Sequence, residues 1–265
     1  MKQVLSVVFI IVAHFSGIAQ AEDFLKRQYN GFTLWLDCKT HHGAVAFYYE
    51  IGTDTGNASR KSGRFRFDRS VPLTCQPQSW RSYRTTTVDP SSGTWDRGHL
   101  VPANHMDGSD KTLNDTFFLT NILPQNSAFN QSRGAWHLTE IITECYREIT
   151  PLKVWGGVIW GNDTNNDYFT VTHGIKTPDF WWKLIYRSDK KEYVAWLFPN
   201  HQGAKASDMD SFLISIEGLK SRVDFMPDIG LLKESPSAGI TPTASWQVEK
   251  SGKMLVCEGR MTSSG

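Results

Sequence analysis

The stretch WDRGHLVPANH, residues 95–105, places two histidines, an arginine, an aspartate and an asparagine within eleven residues. Asp96 can orient a neighbouring group, and Arg97 can bind an anion. Gly98 permits backbone angles that other residues avoid, and His99 can accept or donate a proton near neutral pH. The combination, rather than any one of these residues, indicates a catalytic site.

A second polar cluster, NILPQNSAFNQ, occupies residues 121–131. Asparagine carbonyl oxygens are hard ligands of the kind that Mg²⁺ accepts. The pattern around both clusters predicts strand, loop, strand and then helix. We therefore expect the two clusters to form one hydrolytic site.

Length and composition favour one folded domain over residues 22–265. The chain has 265 residues, of which 40% are hydrophobic, with 21 glycines, 11 prolines and 10 tryptophans. This is enough apolar material for one large core. The glycine and proline content indicates a loop-rich α+β or α/β enzyme rather than a helical bundle.

The first 21 residues are typical of a secretory signal peptide. Lys2 precedes an apolar run at residues 4–15, and Ala19-Gln20-Ala21 provides a cleavage pattern. An uncleaved membrane anchor is the alternative, and the short length of the run argues against it. No later stretch is apolar enough to cross a bilayer. We expect a secreted or periplasmic protein without a membrane partner.

Four cysteines, an even number, favour disulfide bonds in an oxidising compartment. None lies in a Cys-x-x-Cys pair, which argues against a zinc site. Nearness in sequence suggests pairing Cys38 with Cys75 and Cys145 with Cys257, and free buried thiols are the alternative.

The overall charge is balanced, but its distribution is not. The chain has 28 Lys and Arg against 27 Asp and Glu, and Lys2 leaves with the predicted signal peptide. Eight basic residues lie between positions 60 and 97 against three acidic ones, with Trp80, Tyr83 and Trp95 interleaved among them. Such a segment fits a phosphate backbone with nearby bases, or else a solvated basic face. The basic residues are Arg60, Lys61, Arg64, Arg66, Arg69, Arg81, Arg84 and Arg97.

Runs of β-forming residues predict strands at residues 44–51, 117–123, 153–160, 180–187 and 192–198, with Pro124 ending the second. Residues 22–44 look irregular, and residues 70–95 look like a long loop. Residues 207–219 are predicted to form a helix, and the chain looks loose after residue 230. The paired tryptophans Trp181 and Trp182 fit a core better than a base-stacking surface.

Residues 134–149 have the periodicity of an amphipathic helix. Glu140, Glu144 and Glu148 lie four residues apart on the face opposite the apolar one. That spacing is also typical of an ordinary solvated helix surface.

Phosphodiester hydrolysis needs an activated water, neutralisation of charge at phosphorus and help for the leaving oxygen. A neutral histidine can supply the first, and a divalent ion can supply much of the rest. Mg²⁺ keeps several of its waters, so one or two protein oxygens suffice. The two polar clusters contain these groups.

The segments DRGHLVPANH (residues 96–105) and NDTFFLTNILPQNSAFNQ (residues 114–131), followed by Trp136 and Glu140, resemble the DNA/RNA non-specific endonucleases. These ββα-metal nucleases include secreted bacterial nucleases and mitochondrial endonuclease G. The similarity covers most of residues 45–230. It implies an α+β fold with a mixed, mainly antiparallel central sheet, flanked by helices and containing a ββα-metal active-site motif.

The same resemblance implies a role for each polar residue of the site. His99 corresponds to the general base, and Asn130 to the ligand of a single Mg²⁺, with Mn²⁺ as the alternative ion. Arg97 corresponds to a phosphate contact. Glu140, four residues after Trp136, corresponds to the acid that supports the water shell of the metal.

Substrate contacts are expected upstream and in the first cluster. The resemblance places a phosphate-contacting arginine among Arg60, Arg64 and Arg66 without choosing between them. Asn104 is assigned to substrate binding, although Asn104 and Asn121 fit loop bracing better than substrate contact. His99 as a hydrogen-bonded buried histidine, and Asn130 as a helix N-cap, remain alternatives.

The sequence therefore predicts a secreted, Mg²⁺-dependent endonuclease that cuts DNA and RNA with little sequence preference. A nucleic-acid-binding or adhesion protein without turnover, on the same fold, is the main alternative. A phosphodiesterase for small cyclic or sugar phosphates is a weaker one. The sequence does not determine the oligomeric state, and a homodimer is one option.

Overall fold

The computed structural model describes residues 24–56, 58–230, 240–252 and 254–263. The predicted signal peptide and its cleavage site lie outside this part of the chain. The strands in the described ranges are β1 (Leu25–Gln28), β2 (Phe32–Asp37), β3 (Gly43–Ile51), β4 (Trp95–His99), β5 (Ile122–Asn126), β6 (Leu152–Ile159), β7 (Phe180–Arg187), β8 (Glu192–Pro199), β9 (Glu249–Ser251), β10 (Met254–Cys257) and β11 (Arg260–Ser263).

Helices are fewer and mostly short. The α-helices in the described ranges are α1 (Asp110–Asp115), α2 (Ser127–Asn130), α3 (Ala135–Arg147), α4 (Thr170–His173) and α5 (Ile216–Lys220). Short 3-10 turns join several of the strands. The fold is α+β, as predicted.

A six-stranded antiparallel sheet forms the centre, in the order β1-β2-β3-β6-β7-β8. Strands β4 and β5 form a separate antiparallel pair, and β9, β10 and β11 form a small third sheet. All but the first residue of β7 are buried, so this strand is covered on both faces. The predicted core tryptophans Trp181 and Trp182 are both fully buried.

Helix α3 packs on one face of this sheet. The ring of Trp181 meets the ring of Trp136 edge-on, with centroids 4.9 Å apart. The buried Lys183 ammonium donates a hydrogen bond to the Thr139 hydroxyl at 2.7 Å and lies 3.7 Å from the Trp136 ring centroid. Burial lowers the pKa of Lys183 to about 7, although the charge of Glu140 opposes this shift.

Most strand predictions are confirmed. The N-terminal segment was expected to be irregular, but its described part contains two strands, β1 and β2. Strands β1 and β2 form the edge of the main sheet. Phe32, Leu34 and Leu36 alternate along β2 and are all buried. This period of two was visible in the sequence and is the signal that a prediction of irregular structure overlooked.

The strand predicted for residues 117–123 is also wrong. Residues 119–121 form a 3-10 turn, and the strand that follows contains Pro124 instead of ending before it. Proline is tolerated because β5 has one partner strand within the described ranges, so its other edge needs no ladder donor. Asn121 braces the turn, because its side chain accepts from the Val101 N–H and donates to the Val101 and Thr116 carbonyls.

The helix predicted for residues 207–219 is interrupted. A 3-10 segment, Ala206–Phe212, is separated from α5 by an extended stretch in which the Ile214 N–H donates to the Ala195 carbonyl at 3.0 Å. Pairing with the exposed edge of β8 outweighs helix propensity there. The Ser215 side chain then caps α5 by accepting from the Gly218 N–H.

Both predicted disulfides are present, Cys38–Cys75 and Cys145–Cys257. The second joins α3 to β10 and ties the C-terminal sheet to the domain. Part of the segment predicted to be loose, residues 231–239, lies outside the described residues. No helix in the described ranges is long and apolar enough to cross a membrane.

The two disulfides should differ in their contribution to stability. Cys145–Cys257 spans 112 residues of sequence and Cys38–Cys75 spans 37, so the first removes more entropy from the unfolded chain. We expect paired cysteine-to-alanine substitutions to cost about 2–5 kcal/mol of unfolding free energy each, with a difference of about 1 kcal/mol between them. Denaturant unfolding measures this, and a larger loss for the Cys38–Cys75 pair would contradict it.

Candidate functional site

A polar cleft of about 550 Å³ opens where β4 meets the segment between α2 and α3. Six of the eight predicted site residues line it, and Arg64 and Arg66 do not. The six are Arg60, Arg97, His99, Asn104, Asn130 and Glu140. The two sequence clusters therefore meet in one place, as predicted.

Strands β4 and β5 and the helices after them form the scaffold of this cleft. The strands pair with Asp96 opposite Gln125 and His99 opposite Ile122. Helix α2 begins directly after β5, where the Asn126 side chain accepts from the Ala128 N–H. This is the predicted ββα arrangement, and it brings residues 96–99 beside Asn130.

Gly98 does not have the role expected from the sequence. It lies inside β4 and is absent from the residues with positive φ. A side chain at this position would collide with the side chain of Gln125 on the paired strand. Glycine is required here for close packing between β4 and β5, not for an unusual backbone angle.

Asp96 is the central acceptor of the site. One carboxylate oxygen accepts from Arg84 Nε at 3.0 Å and from Arg84 Nη2 at 2.7 Å. The other accepts from Asn130 Nδ2 at 3.1 Å and from Gln131 Nε2 at 2.7 Å. Burial alone would raise the pKa of Asp96, but these hydrogen bonds outweigh it and the pKa is lowered. Asp96 is therefore ionised at neutral pH.

The contact with Asp96 determines how the Asn130 amide is turned. A carboxylate only accepts hydrogen bonds, so the atom of Asn130 beside it is the amide nitrogen. The carbonyl oxygen is then left for another partner, and Asn130 lines the cleft. The N-cap alternative is wrong, because Asn130 ends α2 and the residue before α3 is Gly134.

His99 is enclosed by aromatic rings and positive charge. Its ring centroid lies 5.7 Å from that of Phe65 and 5.2 Å from that of Phe117. Its buried Nε2 has no hydrogen-bond partner among the described residues, which disfavours the alternative of a structural, fully bonded histidine. Burial, together with the charges of Arg60 and Arg97, lowers the pKa of His99 to about 3. The imidazole is therefore neutral at pH 7.

Glu140 is not part of a solvated helix face. Its carboxylate lies 3.7 Å from His137 Nδ1, and its side chain is only 16% exposed. Burial would raise the pKa of Glu140, but the interaction with His137 and the charge of Lys183 outweigh it and the pKa is lowered. The same interaction raises the pKa of His137. An ionised carboxylate therefore faces the cleft.

Glu144 anchors the wall behind Asn104. The Asn104 amide donates to the Glu144 carboxylate, which is also 3.7 Å from His105 Nε2. The other ring nitrogen of His105 is 2.8 Å from the Tyr49 hydroxyl. Asn104 thus lines the cleft while its amide is held by helix α3.

The three upstream arginines, Arg60, Arg64 and Arg66, lie in different positions relative to the cleft. Arg60 lines the cleft and is exposed. The Arg64 carbonyl accepts from Arg66 Nη1 at 3.3 Å, and the Arg66 guanidinium lies 3.9 Å from the Phe118 ring centroid, outside the cleft. Arg97 lies 3.9 Å from the Phe65 ring centroid. Of the three candidates for a phosphate contact, Arg60 has the position.

Sequence reasoning left Arg84, Gln131 and His137 without roles, although all three line the cleft. Gln131 adjoins Asn130 in the second cluster, which was a usable signal. Arg84 was one of eight basic residues in its segment, and only the folded loop shows that it contacts Asp96. His137 precedes Glu140 by three residues, a spacing that brings two side chains together on a helix.

The burial of neutral His99 should make the protein less stable in acid. Unfolded histidine binds a proton below pH 6.5, whereas folded His99 does so only near pH 3, so stability is lost as the pH falls between these values. From pH 7 to pH 5 we expect this residue to account for about 2 kcal/mol of lost unfolding free energy. Urea unfolding in EDTA should show that His99→Ala removes this part of the loss, and an unchanged pH dependence in the variant would contradict it.

Comparison with known proteins identifies the family of this chain. Residues 19–227 match the family model described as DNA/RNA non-specific endonuclease. The zebrafish (Danio rerio) mitochondrial nuclease EXOG is 34% identical over 176 residues, covering 61% of this chain and 48% of the relative. Human mitochondrial endonuclease G is 27% identical over 190 residues, covering 66% of this chain and 60% of the relative.

The mouse (Mus musculus) nuclease EXOG is 25% identical over 181 residues, covering 62% of this chain and 46% of the relative, so the chain spans about half the length of these EXOG relatives. The fold resembles that of a chain in the crystal structure of the EndoG/EndoGI complex, with a TM-score of 0.56 and 19% identity. This match covers 74% of the present chain and 82% of the other. Because the family model spans most of the sequence, the chain belongs to the DNA/RNA non-specific endonuclease family.

Proposed function

We propose that this protein is a metal-dependent endonuclease that hydrolyses phosphodiester bonds in both DNA and RNA. The observation that carries the proposal is the Nε2 of a neutral His99, which has no partner in the part of the chain that the structure describes, in a cleft that also contains Arg97 and Asn130. A neutral imidazole with a free nitrogen can take a proton from water. The arginine can bind the phosphate that the water attacks.

The residues of the cleft fit a magnesium ion that keeps most of its water. In the described part of the chain, no three His, Cys, Asp or Glu side chains are grouped to hold a metal. The Asn130 carbonyl oxygen, left free by Asp96, is a suitable single protein ligand. The ionised Glu140 carboxylate can accept hydrogen bonds from metal-bound water. When bound, Mg²⁺ or Mn²⁺ supplies charge stabilisation at the phosphate and the leaving oxygen.

His99 performs the proton transfer in this proposal. Its Nε2 accepts a proton from the water whose oxygen attacks phosphorus. The bond from phosphorus to the 3′ oxygen breaks, leaving a 5′ phosphate and a 3′ hydroxyl that takes its proton from solvent. A phosphate anion beside His99 raises the pKa of the imidazole, which strengthens it as a base once substrate binds.

Arg60 and Arg97 supply the positive charge that holds the substrate, and Asn104 offers a further polar contact. Such groups bind phosphate and sugar, which every nucleotide shares. We therefore infer low sequence specificity. Of the other two upstream candidates, Arg64 and Arg66, neither lines the cleft.

We also infer that the protein is exported, to the periplasm or the medium. Two disulfides close within one domain, which fits an oxidising compartment. Mass spectrometry of the protein from its native host should show a mature chain beginning near Glu22. A cytoplasmic protein that retains its first residues would contradict this inference.

Plasmid cleavage tests the proposed activity. With Mg²⁺, the wild-type protein should nick supercoiled DNA and degrade RNA, and EDTA should abolish both. His99→Ala should lower the rate roughly 10²–10⁴-fold, because the attacking water loses its base. His201→Ala, an exposed histidine outside the cleft, is the matched control and should behave as wild type.

Two outcomes would contradict the proposal. Binding of nucleic acid without cleavage, with His99→Ala indistinguishable from wild type, would favour a binding protein. Cleavage confined to small cyclic or sugar phosphates, without nicking of closed circular DNA, would favour a narrower phosphodiesterase.

Substituting Asp96 tests its hold on Asn130. Asp96→Asn keeps the shape but replaces one acceptor oxygen with a donor, so the Asn130 amide loses its fixed orientation. We expect Mn²⁺ affinity to fall roughly 10–100-fold, as measured by electron paramagnetic resonance of free Mn²⁺. Asp89→Asn, on an exposed loop, is the control. Unchanged affinity in Asp96→Asn would contradict the proposed role.

A further inference from the structure

A second cleft of about 610 Å³ adjoins the catalytic one, and we call it the aromatic groove. Three phenylalanines, a tryptophan and two arginines form most of its lining. These residues are Phe65, Phe67, Phe118, Trp80, Arg66 and Arg69. The catalytic chemistry described above uses none of them.

Trp80 presents a large aromatic surface to solvent at this groove. It is 54% exposed, although most tryptophans of the described chain are buried. Its ring stands edge-on to that of Phe67, with centroids 5.3 Å apart. Its carbonyl accepts a hydrogen bond from Arg97 Nη1 at 2.8 Å, so the backbone beneath the indole is tied to the catalytic strand. With the phenylalanine rings that line the groove, the exposed indole forms a contiguous apolar surface, and such a surface is typical of a ligand-binding groove.

The groove is continuous with the catalytic cleft. Phe65 lines both cavities. The Arg97 guanidinium lies 3.9 Å from the Phe65 ring centroid and also contacts the Trp80 carbonyl. A chain whose phosphate is bound by Arg97 therefore has the indole of Trp80 within reach of its neighbouring units.

The groove also carries positive charge suited to that chain. Arg66 is held by backbone hydrogen bonds from its N–H to Phe117 and from Leu119 to its carbonyl, with its guanidinium 3.9 Å from the Phe118 ring centroid. Arg69 is exposed. Among the ion pairs of the described residues, neither arginine has a carboxylate partner.

The one acid of the groove is already paired. Asp68 accepts hydrogen bonds from Arg27 Nε at 2.8 Å, from the Tyr29 hydroxyl at 2.7 Å and from the Ser70 hydroxyl at 2.6 Å. Its side chain is only 4% exposed. The positive charge of the groove is therefore not cancelled at its surface.

Building on the proposed nuclease function, we propose that the aromatic groove binds an unpaired nucleobase of the strand being cleaved, stacked on Trp80, with Arg66 and Arg69 beside its phosphate. Every base has an aromatic face, so such a site tolerates any sequence. In a duplex both faces of each base are covered by neighbours, and exposing one requires unstacking. The groove thus favours single-stranded DNA or RNA, and unpaired positions in duplexes, over intact duplex.

Cleavage of matched substrates tests this preference. One oligonucleotide is used single-stranded and as a perfect duplex, and kcat/KM is measured for both. Trp80→Ala should lower the ratio of single-strand to duplex kcat/KM roughly tenfold, and Trp80→Phe should restore most of it. Leu73→Ala, which removes a side chain 62% exposed on the same loop, is the control and should leave the ratio unchanged. An unchanged ratio in Trp80→Ala would overturn the inference.

A binding experiment separates this inference from the proposed function. In EDTA, where no cleavage is expected, a single strand carrying 2-aminopurine is titrated with each protein. Stacking on Trp80 should quench the fluorescence with wild type and Trp80→Phe but not with Trp80→Ala. Equal quenching by Trp80→Ala would overturn the groove whether or not the protein cleaves. Failure of wild type to cleave any substrate would overturn the proposed function and leave this readout intact.

Discussion

The carboxylate of Asp96 is the contact on which the site depends. It lies on a short strand pair and accepts hydrogen bonds from Arg84 in the long loop and from Asn130 and Gln131 at the end of α2. Two other parts of the chain thus converge on one charge. Hydrogen bonds to an ionised acceptor are stronger than neutral ones, so the geometry is held firmly. Because Asp96 can only accept, the same contact turns the Asn130 oxygen away from it.

Behind the cleft, the main sheet and helix α3 carry charged side chains that lie close to the site. Lys183 reaches from β7 to α3, and Glu140 and Glu144 project from that helix towards the cleft and its wall. Buried charges are costly unless they are paired. Each of these three side chains contacts or faces an oppositely charged or polar group. The charge interactions of the site therefore continue into the core behind it. His99 differs, since its burial with no hydrogen-bond partner for Nε2 among the described residues keeps it neutral.

A structural feature could be predicted from the sequence when neighbouring residues determine it, and not when a distant part of the chain does. The β7 strand and α3 were predictable because apolar runs and helical periodicity are local signals. The two disulfides span 37 and 112 residues, so their pairing was suggested only by the order of the cysteines along the chain. Pro124 inside β5 was not predictable, because proline is acceptable there only since β5 pairs with β4 alone in the described structure. The break in the predicted helix at Leu213 could not be predicted either, because Leu213 pairs with Trp196 on β8, which is distant in sequence.

Within the cleft, the residue types were predictable and their contacts were not. The two clusters indicated His99, Arg97 and Asn130 directly. Arg84 could not be selected among its basic neighbours, and the separation of Arg60 from Arg64 and Arg66 depends on which way the loop turns. Gly98 is an example. Glycine is needed there because the Gln125 side chain on the paired strand leaves no room for another side chain, and not because of its own backbone angles.

The central claim is that Asp96 leaves the Asn130 oxygen facing the cleft while His99 stays free to act on water. Anomalous diffraction from crystals soaked in Mn²⁺ tests it most directly. The account predicts one peak in the cleft, bonded to the Asn130 carbonyl oxygen, with His99 not among its ligands. A metal bound directly by His99, or one held elsewhere with the Asn130 oxygen turned towards the protein, would contradict it.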